Sequence, residues 1–309
     1  MNFQDYFAQC VTKVRSSIGN RKNYEAVLYD YIQYGKDFDL FTEDLFSVTI
    51  KERMRKIAKM NKHWEGFIEY MRKKGNKNSS IKQKISKIKA IIKQAEKEMG
   101  VMIPIDVNIT TSTPPVFSWK PEFTKKFLQS NPSNHRVATA MKLQILTCFR
   151  PGDLLSLTTD NFVREDEVYR ITLLTQKTNS LLSPVINEKV WKDAYEYVSK
   201  GSLLPYRYIY NYSMDIREVL NEVAATLDVM VYKQDKLGKI VMKKSSIAEA
   251  TTPHTLRKSG INLLLSLGVK ERVIMDNYSG HKNFQVFSSH YVSNQSTDGM
   301  NSLMNNLVI

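Results

Sequence analysis

Residues 101–115 read VMIPIDVNITTSTPP, a stretch with prolines near both ends, a Thr/Ser cluster and no helical period. No helix or alternating strand runs through it, so the 309-residue chain must fold as two pieces, each long enough to bury its own core. The predicted organisation is a helical domain over residues 1–104, a linker over 105–116 and a second domain over 117–309.

The first piece is helical and increasingly basic. Residues 1 to about 45 are amphipathic and aromatic-rich, with Tyr6, Phe7, Tyr24, Tyr29, Tyr31 and Tyr34 mostly assigned to a core. Lys51, Arg53, Arg55, Lys56, Lys59 and Lys62 follow, then Arg72, Lys73, Lys74 and Lys77. A clear helix comes next. Ser80 and Gln83 form a capping-box pair, Ile81, Ile85, Ile88, Ile92, Ala95 and Met99 make an apolar stripe, and Gly100 supplies the stop. Lys82, Lys84, Lys87, Lys89 and Lys93 occupy its other faces. Such a face is often merely solvated, but no acid occurs between Met71 and Gln94, which favours phosphate contact.

The net charge of +14 points the same way, toward a polyanionic partner, nucleic acid or an acidic membrane face. No apolar run is long enough to span a bilayer and no secretory signal stands at Met1, so a cytoplasmic location is expected. Cys10 and Cys148 form no C-x-x-C pair and the five histidines include no H-x-x-x-H pair, so no disulfide, metal or cofactor is expected.

The second piece opens with helices predicted near 121–129 and 136–148. The latter delivers TCFRPGDLLSLTTDNF, in which Arg150 ends a helix just before Pro-Gly and Asp153 is close enough to orient it. Two β-rich runs, 168–175 and 181–186, flank QKTNS and predict a hairpin with Lys177 at or beside its tip. Helices near 188–199 and 215–227 follow, then a second hairpin signal over 229–243 centred on Lys236-Leu-Gly. In residues 252–291, Thr252 is an N-cap and Pro253 suits the first helical position, so His254 and Arg257 lie one turn apart where free N–H groups favour an anion. Gly280-His281 and, ten residues on, Tyr291 complete the stretch, and an apolar helix is predicted over 300–309.

Taken together, TCFRPGDLLSLT with Arg150, QKTNSLLSPVI with Lys177, TPHTLRKSGINLLLSLGV with His254 and Arg257, SGHKNF with His281 and SSHYV with Tyr291 resemble the catalytic domain of the tyrosine recombinases, the phage-integrase family. Each box alone is weak; five in order are strong. The basic helical piece is similar in position, helicity and charge to that family's core-binding domain. The resemblance implies a mainly α fold with small β-hairpins: an all-helical, SAM-like core-binding domain followed by an α-rich mixed catalytic domain, in the compact two-domain form.

It also implies a chemistry. Tyr291 would attack a DNA phosphodiester, leaving a 3′-phosphotyrosine and a free 5′-hydroxyl. Arg150 and Arg257 would hold the non-bridging oxygens, with Asp153 bracing Arg150. His254 would assist Tyr291, His281 would donate to a phosphate oxygen, and Lys177 would protonate the leaving oxygen. No metal or ATP would be needed. The implied partners are double-stranded DNA with inverted half-sites and further copies of the chain, as a tetramer exchanging residues 300–309, with room for an accessory or directionality factor and a nucleoid-associated location. The family's pattern is departed from at Pro151-Gly152, where small or branched residues are common, and Lys258 falls at a variable position beside Arg257. Tyr278 fits the hydrophobic slot before Gly-His, and His290 is read as shaping the segment. Two other readings stay open: a non-cutting regulatory module of the same fold, and a type IB topoisomerase.

Overall fold

Four helices form the first part of the chain: α1 (Phe3–Lys13), α2 (Ile18–Tyr34), α3 (Ile50–Lys73) and α4 (Asn78–Met99). The computed structural model describes residues 1–13, 18–46, 48–111, 114, 115, 117–206, 208–235, 239–288 and 291. It divides into two units, Met1–Pro114 with Lys233–Val241, and Pro115–Tyr232 with the chain from Met242 onward. Among the described residues, no helix is long and apolar enough to cross a membrane.

The core of the first unit is aromatic. Phe3 stacks on Phe38 at 5.1 Å and meets Tyr31 and Trp64 edge-on at 5.2 and 5.9 Å, geometries that aromatic quadrupoles favour. Tyr6, Phe7 and Tyr31 are buried as expected; Tyr29 instead lies exposed, with Lys74 Nζ over its ring. On α4 the isoleucine stripe is buried, and Gly100 closes the helix in the left-handed conformation, φ +68°. The Ser80–Gln83 capping box does not form. The helix begins three residues earlier, at Asn78, whose Oδ1 accepts from Arg72 Nε, so Ser80 already lies inside the first turn. Val101, Ile103 and Ile109 pack into this core and Trp64 Nε1 donates to Pro104 O, so irregular backbone here follows the first unit.

His63 lies at the edge of the same cluster, 3.0 Å from the Tyr31 hydroxyl. Burial, reinforced by Lys36, lowers its pKa to about 4. An unfolded chain therefore binds a proton that the folded one refuses, and this contribution is whole above the ordinary value of 6.5 and lost as pH falls toward 4. Urea midpoints should drop between pH 7.5 and pH 5, and a His63→Gln variant should lose less over that interval; equal losses would contradict the assignment.

The second unit is built around α6 (His135–Thr147), which follows α5 (Pro121–Gln129) and is buried on nearly every face. After it come the short α7 (Pro151–Leu155) and four strands, β1 (Phe162–Glu165), β2 (Val168–Ile171), β3 (Leu173–Leu174) and β4 (Leu181–Leu182). The sequence predicts one hairpin here; it forms, with Arg170 bridged to Val185, and the structure adds a further strand to it. β2 pairs with β1 through a turn in which Asp166 takes φ +52°, while β3 pairs with β4, and Ile186 N–H reaches back to Tyr169 O. β1 escapes prediction because FVRE is short and does not alternate.

Helices α8 (Glu188–Ser199) and α9 (Ile209–Ala224) follow. α9 starts six residues before the predicted position, because Tyr212 extends the buried stripe of Ile216, Val219 and Leu220 backward, and Asp215 accepts from Tyr206 instead of opening the helix. β5 (Asp228–Gln234) and β6 (Ile240–Ser246) form the second hairpin, whose predicted turn centre, 236–238, lies outside the described residues. Then come α10 (Ile247–Ala250), α11 (Pro253–Ser266), α12 (Glu271–Ile274) running into a π-helical turn (Met275–Ser279), and α13 (Phe284–Phe287). α11 lies directly on α6. At Gly260 a Cβ would fall 2.0 Å from Ile145 O, so only glycine permits this approach. The predicted segment 300–309 and His290 lie outside the described residues.

Candidate active site

Three of the six predicted catalytic side chains, Arg150, His254 and Arg257, are delivered by the starts of α7 and α11, both packed on α6. Thr252 caps α11 by a reciprocal box with Thr255, and Pro253 occupies the first turn, as the sequence predicts. His254 is exposed on that turn, whereas Arg257, one turn on, is only 4 % exposed. Arg257 uses its fork structurally: Nη1 donates to Cys148 O and Nη2 to Ser279 O at 2.7 Å. It thereby ties the end of α6 and the π-helical turn to α11. A guanidinium has five N–H donors, so beyond these two and the bond to the Tyr291 phenol it keeps donors for a ligand.

Arg150 caps α7 in extended conformation, two residues after Cys148, which adopts φ +54°. That left-handed residue turns the chain sharply between α6 and α7. Arg150 Nη1 is buried, 3.9 Å from Asp153 Oδ2, and neither atom has a hydrogen-bond partner among the described residues. Burial and the neighbouring Arg257 lower the pKa of Arg150, while Asp153 opposes them. Asp153 has a second task, since its Oδ1 accepts from Gln176 N–H at 3.1 Å. One buried carboxylate thus links Arg150 to the backbone beside Lys177.

Lys177 is exposed in the turn between β3 and β4. The turn is braced by buried Thr175, whose Oγ1 lies 2.8 Å from Thr178 Oγ1 and accepts from Ser180 N–H. Ser180 in turn faces Gly280, where a Cβ would meet it at 3.4 Å and φ is +63°. His281, next in the chain, places Nδ1 2.8 Å from Ser279 Oγ. Ser279 therefore serves both Arg257 and His281.

Tyr291 is buried, its ring 5.5 Å from that of His281 and 5.1 Å from Phe287. Burial raises its phenol pKa, and the charge and hydrogen bond of Arg257, with the more distant Arg150, pull it back down. His254 shifts the other way: partial desolvation and the positive charges of Arg257, Arg150 and Lys177 lower its pKa, which holds the imidazole neutral at pH 7. The same cations thus favour a tyrosinate and an unprotonated histidine, the two states an attacking phenol needs. Tyr278 packs at the margin of the Ile274, Met275 and Phe287 cluster, with its hydroxyl donating to Val185 O at 3.4 Å.

The five lysines of α4 belong to the other unit and do not act as one face. Lys84 joins Lys74 on buried Asp30, at 2.5 and 2.6 Å, and Lys87 lies over the Tyr24 ring at 5.2 Å. Lys82, Lys89 and Lys93 are exposed and share the opposite flank, since positions seven and eleven apart recur on one side of a helix. Sequence inspection passed over Ser279, the Gln176 N–H and Gly260. A serine before Gly-His and a glycine inside an apolar helix were the available signals.

No protein-family model matches the sequence, and no curated protein matches it significantly. Solved structures do match. A fragment of the Tn1549 transposon integrase in complex with circular intermediate DNA superposes with a TM-score of 0.64 at 16 % identity, over 94 % of this chain and 95 % of that one. XerH site-specific recombinase bound to palindromic difH substrate gives 0.57 at 15 % identity, over 92 % and 79 %. A lambda integrase dimer bound to a COC′ core site gives 0.54 at 15 % identity, over 94 % and 95 %. With both units covered by each superposition, the chain has the fold of the tyrosine recombinases.

Proposed function

We propose that the protein is a site-specific DNA recombinase that breaks and rejoins strands through a phosphotyrosine link. The observation that carries this reading is the buried Tyr291 phenol held in the field of Arg257 and Arg150, ring to ring with His281. The phenolic oxygen attacks phosphorus as the bond to the 5′-oxygen breaks. The phenolic proton passes toward His254, and Lys177 supplies a proton to the departing 5′-oxygen. Arg150, Arg257 and His281 stabilise the charge on the non-bridging oxygens, with Asp153 setting Arg150 and the Lys177 turn together. The new ester retains the energy of the broken one, so religation onto another strand completes exchange.

Duplex DNA with inverted half-sites is the fitting partner, and pairing two such sites calls for four copies of the chain. The solved relatives on DNA, one of them a transposon integrase on a circular intermediate, support a mobile-element origin. Lys82, Lys89 and Lys93 are the α4 residues best placed for phosphates; Lys84 is committed to Asp30.

The test is covalent trapping on nicked duplexes from the ends and junctions of the encoding element, followed by mapping of the DNA-linked peptide. An adduct on Tyr291, confined to particular sites, is expected. Tight binding without any adduct would favour a non-cutting module, and adducts without site preference a type IB topoisomerase.

A further inference from the structure

Lys258 is a cation beside Tyr291 with no role in the chemistry above, and its placement is unusual for a lysine. It is only 5 % exposed, although lysine is among the residues least often buried. It lies four residues after His254, hence one turn deeper along the same face of α11, and next to Arg257. Its Nζ lies 6.0 Å from the centre of the Tyr291 ring, at the limit of a cation–π contact.

An ammonium in that position does two things to a phenol. It draws the ring into a defined seat, and it stabilises the ring more as phenolate than as phenol, because the added negative charge is spread over a ring 6.0 Å from the ammonium in a poorly solvated site. Arg257 reaches the same phenol from α11, Arg150 from the start of α7 and His281 from beyond the π-helical turn, while Cys148 at the end of α6 opposes ionisation. Arg150 and Arg257 must also hold phosphate oxygens, whose negative charge offsets theirs once DNA is bound. Lys258, which has no phosphate oxygen to hold in this reading, keeps its effect. Burial lowers its own pKa, so its charge is also the first of these cations to be lost at high pH.

We infer that Lys258 is a positioning residue that seats the Tyr291 ring and favours its ionisation during attack. The inference rests on Tyr291 being the nucleophile, and the experiment separates the two. Single-turnover cleavage of a nicked duplex would be followed from pH 6 to pH 10 for the wild type, Lys258→Met and Lys258→Arg, with duplex binding and thermal unfolding measured alongside. The phenol would be titrated independently by ¹³C NMR of ring-labelled tyrosine, taking the difference from a Tyr291→Phe spectrum.

Lys258→Met should bind DNA normally, cleave at least tenfold more slowly at pH 7.5, and titrate its phenol at higher pH than the wild type. Lys258→Arg should restore most of both properties. An unchanged pH profile and phenol titration in Lys258→Met would overturn the inference. So would equal loss in both variants with an unmoved phenol, which is what a merely packed lysine predicts. Should Lys258→Met fail to fold, the Lys258→Arg titration still decides: a phenol displaced upward despite the retained charge would overturn it. A wild type that forms no adduct on any duplex would instead sink the proposed function, while leaving the phenol titration to be read.

Discussion

Gly260→Ala is expected to destabilise the second unit by at least about 3 kcal/mol, lowering its melting temperature by roughly 6–12 °C. The new Cβ would fall 2.0 Å from Ile145 O, 2.9 Å from Ile145 C and 3.0 Å from Cys148 Sγ. The first two atoms are backbone, so no rotamer change relieves the clash; the α6–α11 pair must separate. α6 leads into Arg150 and α11 carries His254 and Arg257, so the separation also moves the two arginines apart. Covalent trapping should therefore fall even at temperatures where the variant is folded, since positioning errors of this order are costly to catalysis. Calorimetry and trapping on one preparation check both halves. Gly152→Ala provides the contrast: nothing lies within 4 Å of its added Cβ, and its stability should be unchanged or slightly raised. Equal stability of the two variants would mean the helices do not approach as described.

Arg257→Lys is expected to reduce cleavage by about 10²–10³-fold although the charge is kept. The fork carries two duties at once, closing on Cys148 O and Ser279 O while presenting its remaining donors outward. A single ammonium cannot reach both carbonyls, so at least one is left buried without a donor, at about 1–3 kcal/mol. Losing the bond to Ser279 also frees the residue that sets His281. Two sites are therefore damaged by one change, and cleavage should suffer far more than duplex binding. Gel-shift titration beside single-turnover cleavage tests this; parallel losses in both would indicate that Arg257 only anchors DNA.

Tyr291 connects these effects. Its raised phenol pKa is the result of burial partly cancelled by Arg257 and Arg150, so removing either cation should push it further up. Cys148, fully buried and itself pushed up to about 12, is a neutral thiol near pH 7 and opposes phenol ionisation only once it titrates, while its left-handed backbone turns the chain into Arg150.

Much of this was legible in the residues. The Pro-rich break at 101–115, the isoleucine stripe of α4, Thr252-Pro253 opening α11 and the turn holding Lys177 are local signals, set by backbone geometry and periodicity over a few residues. The order of the boxes around Arg150, Lys177, His254, Arg257, His281 and Tyr291 was legible for the same reason. What the chain alone did not disclose is how those residues are held. In the sequence Lys84 is one of five similar lysines, and its partner Asp30 lies 54 residues earlier. Asp153, expected to brace Arg150, also accepts from Gln176, and neither Ser279 nor Lys258 shows its neighbours in the sequence. The sequence by itself determined which chemical groups are present and the local elements that carry them. Only the tertiary structure decided which cations face Tyr291 and which face a neighbouring carboxylate, because desolvation and charge act across space between residues that the chain separates.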